Sequence, residues 1–383
     1  MKIIIDVMSG DNAPGELVRG AVLSRDELGV SVVMVGHRET IEQLAAADGL
    51  DLTGMEIVDT DVVIDMEDPA LSVVRDKNRS SMAIGLHMLA NGEGDAFVSA
   101  GNTGALLAGA TLIVRRIKGI HRAAIGTVLP FPVPVLLLDS GANTEVDEKT
   151  LLQFAVMGSA YMEKLYALPR ARVGLLNNGT EPTKGTPLYK SANAVLAASD
   201  LIDFVGNVEA KTIPFDTCDV LVCDGFTGNI LLKTVEGMGK FMLQTLKGVL
   251  TENAVTKLGA LTMRRQLKNM KSQFDTSEHG GAPLLGISKP VIKAHGSSDA
   301  RAVMNAVRQA VAYTETGVTY DIAAHAGSLL QKTDDAAAKA PAAAPAEKKP
   351  ETDGAEQTED EASASGDEPQ ETAPEKKKPS ALV

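Results

Sequence analysis

Residues able to bind an anion or move a proton are concentrated in short glycine-rich runs. VSAGNTGALLAG (98–109) follows the apolar stretch DAFVSA and leads into the apolar run ALLAGATLIV. This reads as a strand, a turn and a buried helix. Helix starts carry unpaired N–H groups and partial positive charge, so they attract anions. Asn102 or Thr103 suits the cap of that helix, while Gly101 and Gly104 admit close approach to the backbone. The run lacks the Gly-Lys-Ser/Thr ending of a Walker A loop and does not match G-x-G-x-x-G.

Four further loops have the same build: MSGDNAP (8–14), NNGTEPTKGT (177–186), DGFTGNILLKT (224–234) and HGSSDA (295–300). Each joins an apolar run to a helical pattern through Gly, Asn, Ser, Thr or Asp. Any one of them alone is ordinary turn chemistry, and Ser298 reads most simply as a helix N-cap. Together they supply many N–H donors, hydroxyls and amides, the cations Lys184 and Lys293, and His295. That inventory suits a small tetrahedral anion. The anion is expected on Gly101, Asn102, Thr103 and Gly104, with Ser297 and Ser298 opposite. Asn178, Asp224 and Asn229 are expected to position it. His295 is a candidate acid or base.

Apolar runs such as KIIIDV, SVVMVG, PVLLLDS, RVGLLNN and DVLVCD alternate with helical patterns such as LLQFAVMGSAYMEKL. Such alternation predicts an α/β protein with mostly parallel sheets covered on both faces. AAIGTVLPF and PVLLLDS are close enough to form an antiparallel pair. In open α/β sheets ligands sit beyond the carboxyl ends of the strands, so the five loops are expected around one crevice.

The chain has 383 residues, 44 % hydrophobic and 3 % aromatic, with no tryptophan and a net charge of −13. The core must be aliphatic, and general nucleic-acid binding is not expected. Two cysteines make no disulfide framework, and no Cys/His spacing suggests a metal. Cys223 beside Asp224 reads as a buried thiol rather than a nucleophile. MKIIIDVMSGD is too short and too soon acidic for a signal peptide, and no run approaches membrane-spanning length, so a cytoplasmic protein is expected. Residues 332–383, rich in Ala, Pro, Glu and Lys, have the composition of a disordered tail.

Taken in order, DVMSGDNAP, SAGNTGALLAG, LLDSGAN, LLNNGTEPTKGT, DGFTGNILLKT, GGAPLLG and KAHGSSDA resemble the bacterial phosphate acyltransferases of phospholipid synthesis. Ser9 departs from the glycine usual there, and the acidic tail is a second departure. The resemblance implies a phosphate acyltransferase domain over 1–331, with a two-lobed α/β/α fold like that of phosphotransacetylase and the isocitrate/isopropylmalate dehydrogenases, usually homodimeric. It implies acyl transfer from acyl carrier protein to inorganic phosphate, with no cofactor and no metal. Lys184, His295 and Asn229 are then the expected catalytic groups. The acyl-phosphate would pass to a membrane glycerol-3-phosphate acyltransferase. Rival readings are a coenzyme A-dependent phosphotransacetylase-like enzyme, a non-catalytic membrane-associated scaffold, and a dinucleotide-dependent dehydrogenase.

A helical arm at about 229–275 stands apart from the α/β pattern. Its second run carries Met263, Leu267, Met270 and Phe274 on one face and Arg264, Lys268 and Lys271 on the next, with Arg265 beside them. Beyond a dimer-forming hairpin, acyl carrier protein and an anionic membrane surface both suit this stripe. The latter would make the protein peripheral to the membrane.

Overall fold

The structure is a computed structural model and describes residues 1–273 and 280–326. Its first sheet has seven strands in the order β3-β2-β1-β4-β12-β11-β5. These are β1 (Lys2–Asp6), β2 (Ser31–Gly36), β3 (Glu56–Asp59), β4 (Ala96–Ser99), β5 (Ala124–Ile125), β11 (Ala282–Leu285) and β12 (Val291–Lys293). The first five in that order are mutually parallel, and β11 runs antiparallel to both β12 and β5. Central strands such as KIIID are buried on both faces, which is why they read as unbroken apolar runs.

Helices α1 (Gly15–Leu28) and α10 (Ala300–Glu315) pack against each other, and α3 (Ser81–Asn91) packs on β1, β2 and β4. A Cβ at Gly20 would lie 2.5 Å from that of Val303, so glycine sets the close approach of α1 to α10. The second sheet has the order β6-β7-β10-β8-β9. It comprises β6 (Thr127–Leu129), β7 (Val135–Leu138), β8 (Arg172–Asn177), β9 (Asp203–Glu209) and β10 (Val220–Val222), with only β6 antiparallel. Helix α5 (Glu148–Leu165) packs on β7, β8 and β10, and α6 (Pro187–Ala197) on β9.

The expected antiparallel partner of β7 forms, but AAIGTVLPF is not one strand. Ile125 pairs with Leu284 in the first sheet, and Thr127 pairs with Leu137 in the second. The chain changes sheets at Gly126, where a side chain would press on Leu136. This switch ties the two sheets together beside the cleft described below.

The arm begins with α7 (Gly225–Leu250), whose buried residues are confined to Gly225, Gly228 and Leu232. Gly228 lies against the carbonyl of Asp139, where no Cβ could fit. The expected second helical run breaks at Met263 into α8 (Ala254–Thr262) and α9 (Arg264–Gln273). At the break the Thr262 hydroxyl donates to the Gly259 carbonyl, a back-bond that bends helices. Phe274 and the tail 332–383 lie outside the described residues. Among the described residues no helix is long and apolar enough to cross a membrane.

Candidate active site

The strand order reverses direction between β1 and β4, the position at which open α/β sheets leave a crevice. Three loops close around it. The loop after β1 is pinned to the loop after β12: the Asp11 N–H donates to the Gly296 carbonyl (2.8 Å), and Asn12 Nδ2 donates to the Ser297 carbonyl (3.0 Å). Gly10 has φ +126° and a Cβ there would meet Ala100 at 3.0 Å, so the turn requires glycine. Beneath it, buried Asp6 accepts from the Ser99 hydroxyl (2.8 Å) and the Met8 N–H (3.2 Å). Burial pushes its carboxyl above the usual range, against those hydrogen bonds.

In the third loop Asn102 caps α4 (Thr103–Gly109), its Oδ1 accepting from the Ala105 N–H at 3.0 Å. Its Nδ2 donates to the carbonyls of Met66 (2.9 Å) and Asp68 (3.0 Å). An amide has two N–H bonds to give, and both are engaged. The Asn102 side chain therefore latches the 65–68 segment and has no donor left for phosphate, contrary to expectation. Gly101 is buried with Ser9 packed on it: a Cβ there would lie 2.6 Å from the Ser9 Cβ. Gly104 faces Ala70 rather than the cleft. Of these four residues Thr103 lines the cleft.

The cleft holds about 430 Å³ between the two sheets. Lys293 enters it from the end of β12, with Nζ donating to the carbonyls of Ala100 (3.1 Å) and Ala294 (2.5 Å). An ammonium has three N–H bonds, so one is left for a ligand. Burial pulls the Lys293 pKa down to about 8, opposed by Asp11 and Asp6. His295 Nδ1 accepts from the Ser297 N–H (3.2 Å) and pairs with its hydroxyl (2.9 Å). A backbone N–H can only donate, so the neutral ring carries its proton on Nε2. Burial lowers the His295 pKa below its ordinary value; Glu236 opposes the shift, and Lys233, Lys293 and Lys240 add to it.

Ser298 lines the cleft and is buried, but the cap of α10 is Asp299, whose carboxylate accepts from the Ala302 N–H at 2.8 Å. Ser297 acts on the site through His295.

The opposite wall belongs to the second sheet and to α7. Asn229, Leu232, Lys233 and Glu236 recur at helical spacing and form one stripe facing the cleft. Lys233 and Glu236 pair at 2.9 Å. Asp224 is the N-cap of α7, accepting from the Thr227 N–H (2.9 Å), its hydroxyl (2.7 Å) and the Tyr189 hydroxyl (2.5 Å). Burial raises the Asp224 pKa, but these hydrogen bonds outweigh it and hold the carboxylate below its ordinary value. Asp224 thus positions α7 without lining the cleft.

Neither Asn178 nor Lys184 is brought to the cleft. They stay on the loop after β8, where Lys184 is exposed and its carbonyl accepts from Asn177 Nδ2 at 3.3 Å. Arg264 and Arg265 are exposed on α9, and Lys268 and Lys271 follow on that helix.

Sequence reasoning missed Asp139, although it is part of LLDSGAN. Its buried carboxylate accepts from the N–H groups of Ile125, Gly141, Ala142 and Asn143 and from Asn143 Nδ2, at 2.7–3.1 Å. This clamp shapes the turn that places Ser140 and Gly141 in the cleft and joins it to β5. The remaining lining includes Met66, Ile125, Val128 and Leu232, so an apolar wall adjoins the polar floor. Cys218 and Cys223 are buried, and burial pushes the Cys218 thiol up to about 12 and Cys223 well above its ordinary value. Neither is a ready nucleophile. Among the described residues no group of three or more His, Cys, Asp or Glu is placed to hold a metal ion.

Two parallel-rich sheets meeting at a cleft make an α/β protein whose fold is shared with a solved phosphotransacetylase. A solved phosphotransacetylase from Streptococcus pyogenes matches with a TM-score of 0.57 at 17 % identity, over 82 % of this chain and 94 % of its own. A family model described as "Fatty acid synthesis protein" matches residues 1–320. The Phosphate acyltransferase of Caldanaerobacter subterraneus subsp. tengcongensis is 42 % identical over 337 residues, 88 % of this chain and 99 % of that protein. That of Thermoanaerobacter pseudethanolicus is 44 % identical over 320 residues, 83 % and 95 % respectively. The chain belongs to this phosphate acyltransferase family.

Proposed function

We propose that the protein moves a fatty acyl chain from acyl carrier protein to inorganic phosphate, giving acyl-phosphate for phospholipid synthesis. The observation that carries this reading is the cleft itself: one free N–H of a half-buried lysine and an imidazole, its Nδ1 engaged by Ser297, beside an apolar wall. Phosphate would bind against Lys293, Ser298 and Thr103, with the thioester carbonyl toward His295 Nε2–H and the acyl chain along Leu232, Val128 and Met66.

A phosphate oxygen lone pair then forms the new O–C bond, and collapse of the tetrahedral intermediate breaks the C–S bond. The thiolate leaves with the electron pair. A lysine with pKa about 8 is matched to a thiol of pKa ~8.5, so the ammonium can stabilise the thiolate or protonate it with little free-energy change. Positioning and preorganised charge supply the rate, without a covalent enzyme intermediate. Asn229 orients the substrate from α7, and Lys184 has no part in this scheme.

The test is consumption of acyl-acyl carrier protein by purified protein, with and without phosphate and against an acyl-coenzyme A donor. Phosphate-dependent formation of acyl-phosphate, faster from the carrier protein, supports the reading. Absence of turnover with either donor would sink it. Cys223→Ala should keep turnover within about twofold, because its thiol is held protonated away from the cleft. A trapped acyl-cysteine in the parent protein would contradict the direct mechanism.

We infer that the arm recruits the acidic donor and anionic lipid headgroups. Its exposed apolar residues include Phe241, Val255, Leu258 and Leu261, and the cation-rich α9 follows α8 in the chain. Reversing Arg264, Lys268 and Lys271 to Glu should raise the KM for the carrier donor by about tenfold or more at low salt, and leave the phosphate KM within about twofold. Loss of binding to anionic vesicles in the same variant would show that one surface serves both partners.

A further inference from the structure

The α7 wall of the cleft carries a cation that the acyl-transfer scheme leaves unused. Lys233 lies one residue beyond Leu232, the last buried residue of α7, where that helix leaves the core. The base of the helix is fixed: Asp224 caps it, and Gly228 lies against the Asp139 carbonyl. The Lys233 ammonium donates to Glu236 Oε2 at 2.9 Å and has no other partner among the described residues. An ammonium has three N–H bonds, so two remain.

An i,i+3 ion pair on an exposed helix is ordinarily a surface feature of little consequence. This pair differs in two ways. Both of its members line the cleft, and the Glu236 side chain is only 16 % exposed against 55 % for Lys233. The lysine is also close enough to the opposite wall for its charge to be felt there. Burial is the main cause of the lowered pKa values of Lys293 and His295, and the charge of Lys233 adds to both shifts.

The titratable groups lining the cleft are Asp11, Lys233, Glu236, Lys293 and His295. Each lysine has a carboxylate that supports its charge: Glu236 bonds Lys233, and Asp11, ahead of Asp6, favours the charged form of Lys293. Each nevertheless has N–H bonds to spare, one on Lys293 and two on Lys233. Like charges facing each other across an open cleft repel, and an anion between them replaces that repulsion with two attractions. A tetrahedral dianion has oxygens on all sides, so it suits charged donors arriving from opposite walls.

We propose that Lys233 is a second phosphate-binding residue, its ammonium meeting the anion from α7 while Lys293 meets it from β12. The inference rests on the phosphate site of the acyl-transfer reading and not on its acyl donor. Lys233 then bridges Glu236 and phosphate, and the bound anion joins the two walls of the cleft.

Calorimetric titration of inorganic phosphate into the full chain tests this without turnover. Lys233→Gln should weaken phosphate binding by about tenfold or more, the loss expected when a charged hydrogen-bond donor is removed. Lys233→Arg keeps a cation that also binds phosphate and should stay within about threefold of the parent. Because Lys233 is exposed, both variants should melt with the parent when phosphate is absent. Added phosphate should then stabilise Lys233→Gln less than the other two. In steady state Lys233→Gln should raise the phosphate KM and leave the acyl-donor KM within about twofold. Phosphate affinity unchanged in Lys233→Gln but lost in Lys293→Met would overturn the assignment and leave the acyl-transfer reading intact. So would a rise in the donor KM alone, which would place Lys233 on the donor. No phosphate binding by the parent at millimolar concentrations would overturn the assignment whatever the turnover. Binding that depends on Lys233, with no turnover from either donor, would sink the acyl-transfer reading and keep this site.

Discussion

Lys293→Met should lower phosphate-dependent turnover by about two to three orders of magnitude, the loss typical when a preorganised charge donor is removed from a reaction centre. Methionine nearly conserves the volume, so the half-buried channel between Ala100 and Ala294 stays filled. The loss should appear in kcat as well as in the phosphate KM, since the ammonium is asked to hold the anion and to meet the leaving thiolate. pH gives an independent readout. The charged form of Lys293 predominates below its pKa of about 8 and is lost above it. The turnover of the parent protein should therefore fall as pH rises through 8, and Lys293→Met should lose that limb of the profile. Wild-type rates in the variant would remove Lys293 from the mechanism.

Asp139→Ala should be the most damaging single change to the scaffold of the site. It would leave four backbone N–H groups and one amide nitrogen without their acceptor. Unsatisfied buried donors cost about 1–3 kcal/mol each, and partial rescue by water makes a total of about 3–5 kcal/mol reasonable. Calorimetry should show Tm lower by about 5 °C, the shift expected for that loss in a domain of this size. Whatever protein remains folded should be slow, because Ser140 and Gly141 owe their place in the cleft to this turn. Asp139→Asn keeps one accepting oxygen but turns N–H bonds toward N–H groups, so it should fall between the parent and Asp139→Ala. A Tm unchanged by Asp139→Ala would show that the turn is set by packing alone.

The α/β class, most strands and the grouping of loops at strand ends were legible along the chain. Doubly buried strands leave unbroken apolar runs, and strand-to-helix turns leave Gly, Asn, Ser and Asp in fixed order. Lys293 and His295 were legible for the same reason, since they end one strand and start the next turn. The division of AAIGTVLPF between two sheets was not. The residues on either side of Gly126 are equally apolar, and only their partners, Leu284 and Leu137, differ.

By itself the sequence determined local chemistry: which segments turn, which helices need caps, and that the core would be aliphatic without cysteine chemistry. The sorting of near-identical loop residues into ligands and supports was decided only by the tertiary structure. Asn102 and Asn229 have the same side chain in similar Gly/Thr-rich stretches, one capping a helix and the other within α7. One spends both its N–H bonds on carbonyls more than thirty residues away, while the other faces the cleft. Asp139 and Asp224 both follow strands, yet one clamps a turn to β5 and the other caps α7. Lys184 and Lys293 are equally basic in sequence, but Lys184 is exposed while Lys293 is half-buried beside the switch point, where desolvation brings its pKa toward that of a thiol. Hydrogen-bond saturation and desolvation depend on partners distant in sequence, and no spacing along one chain encodes them.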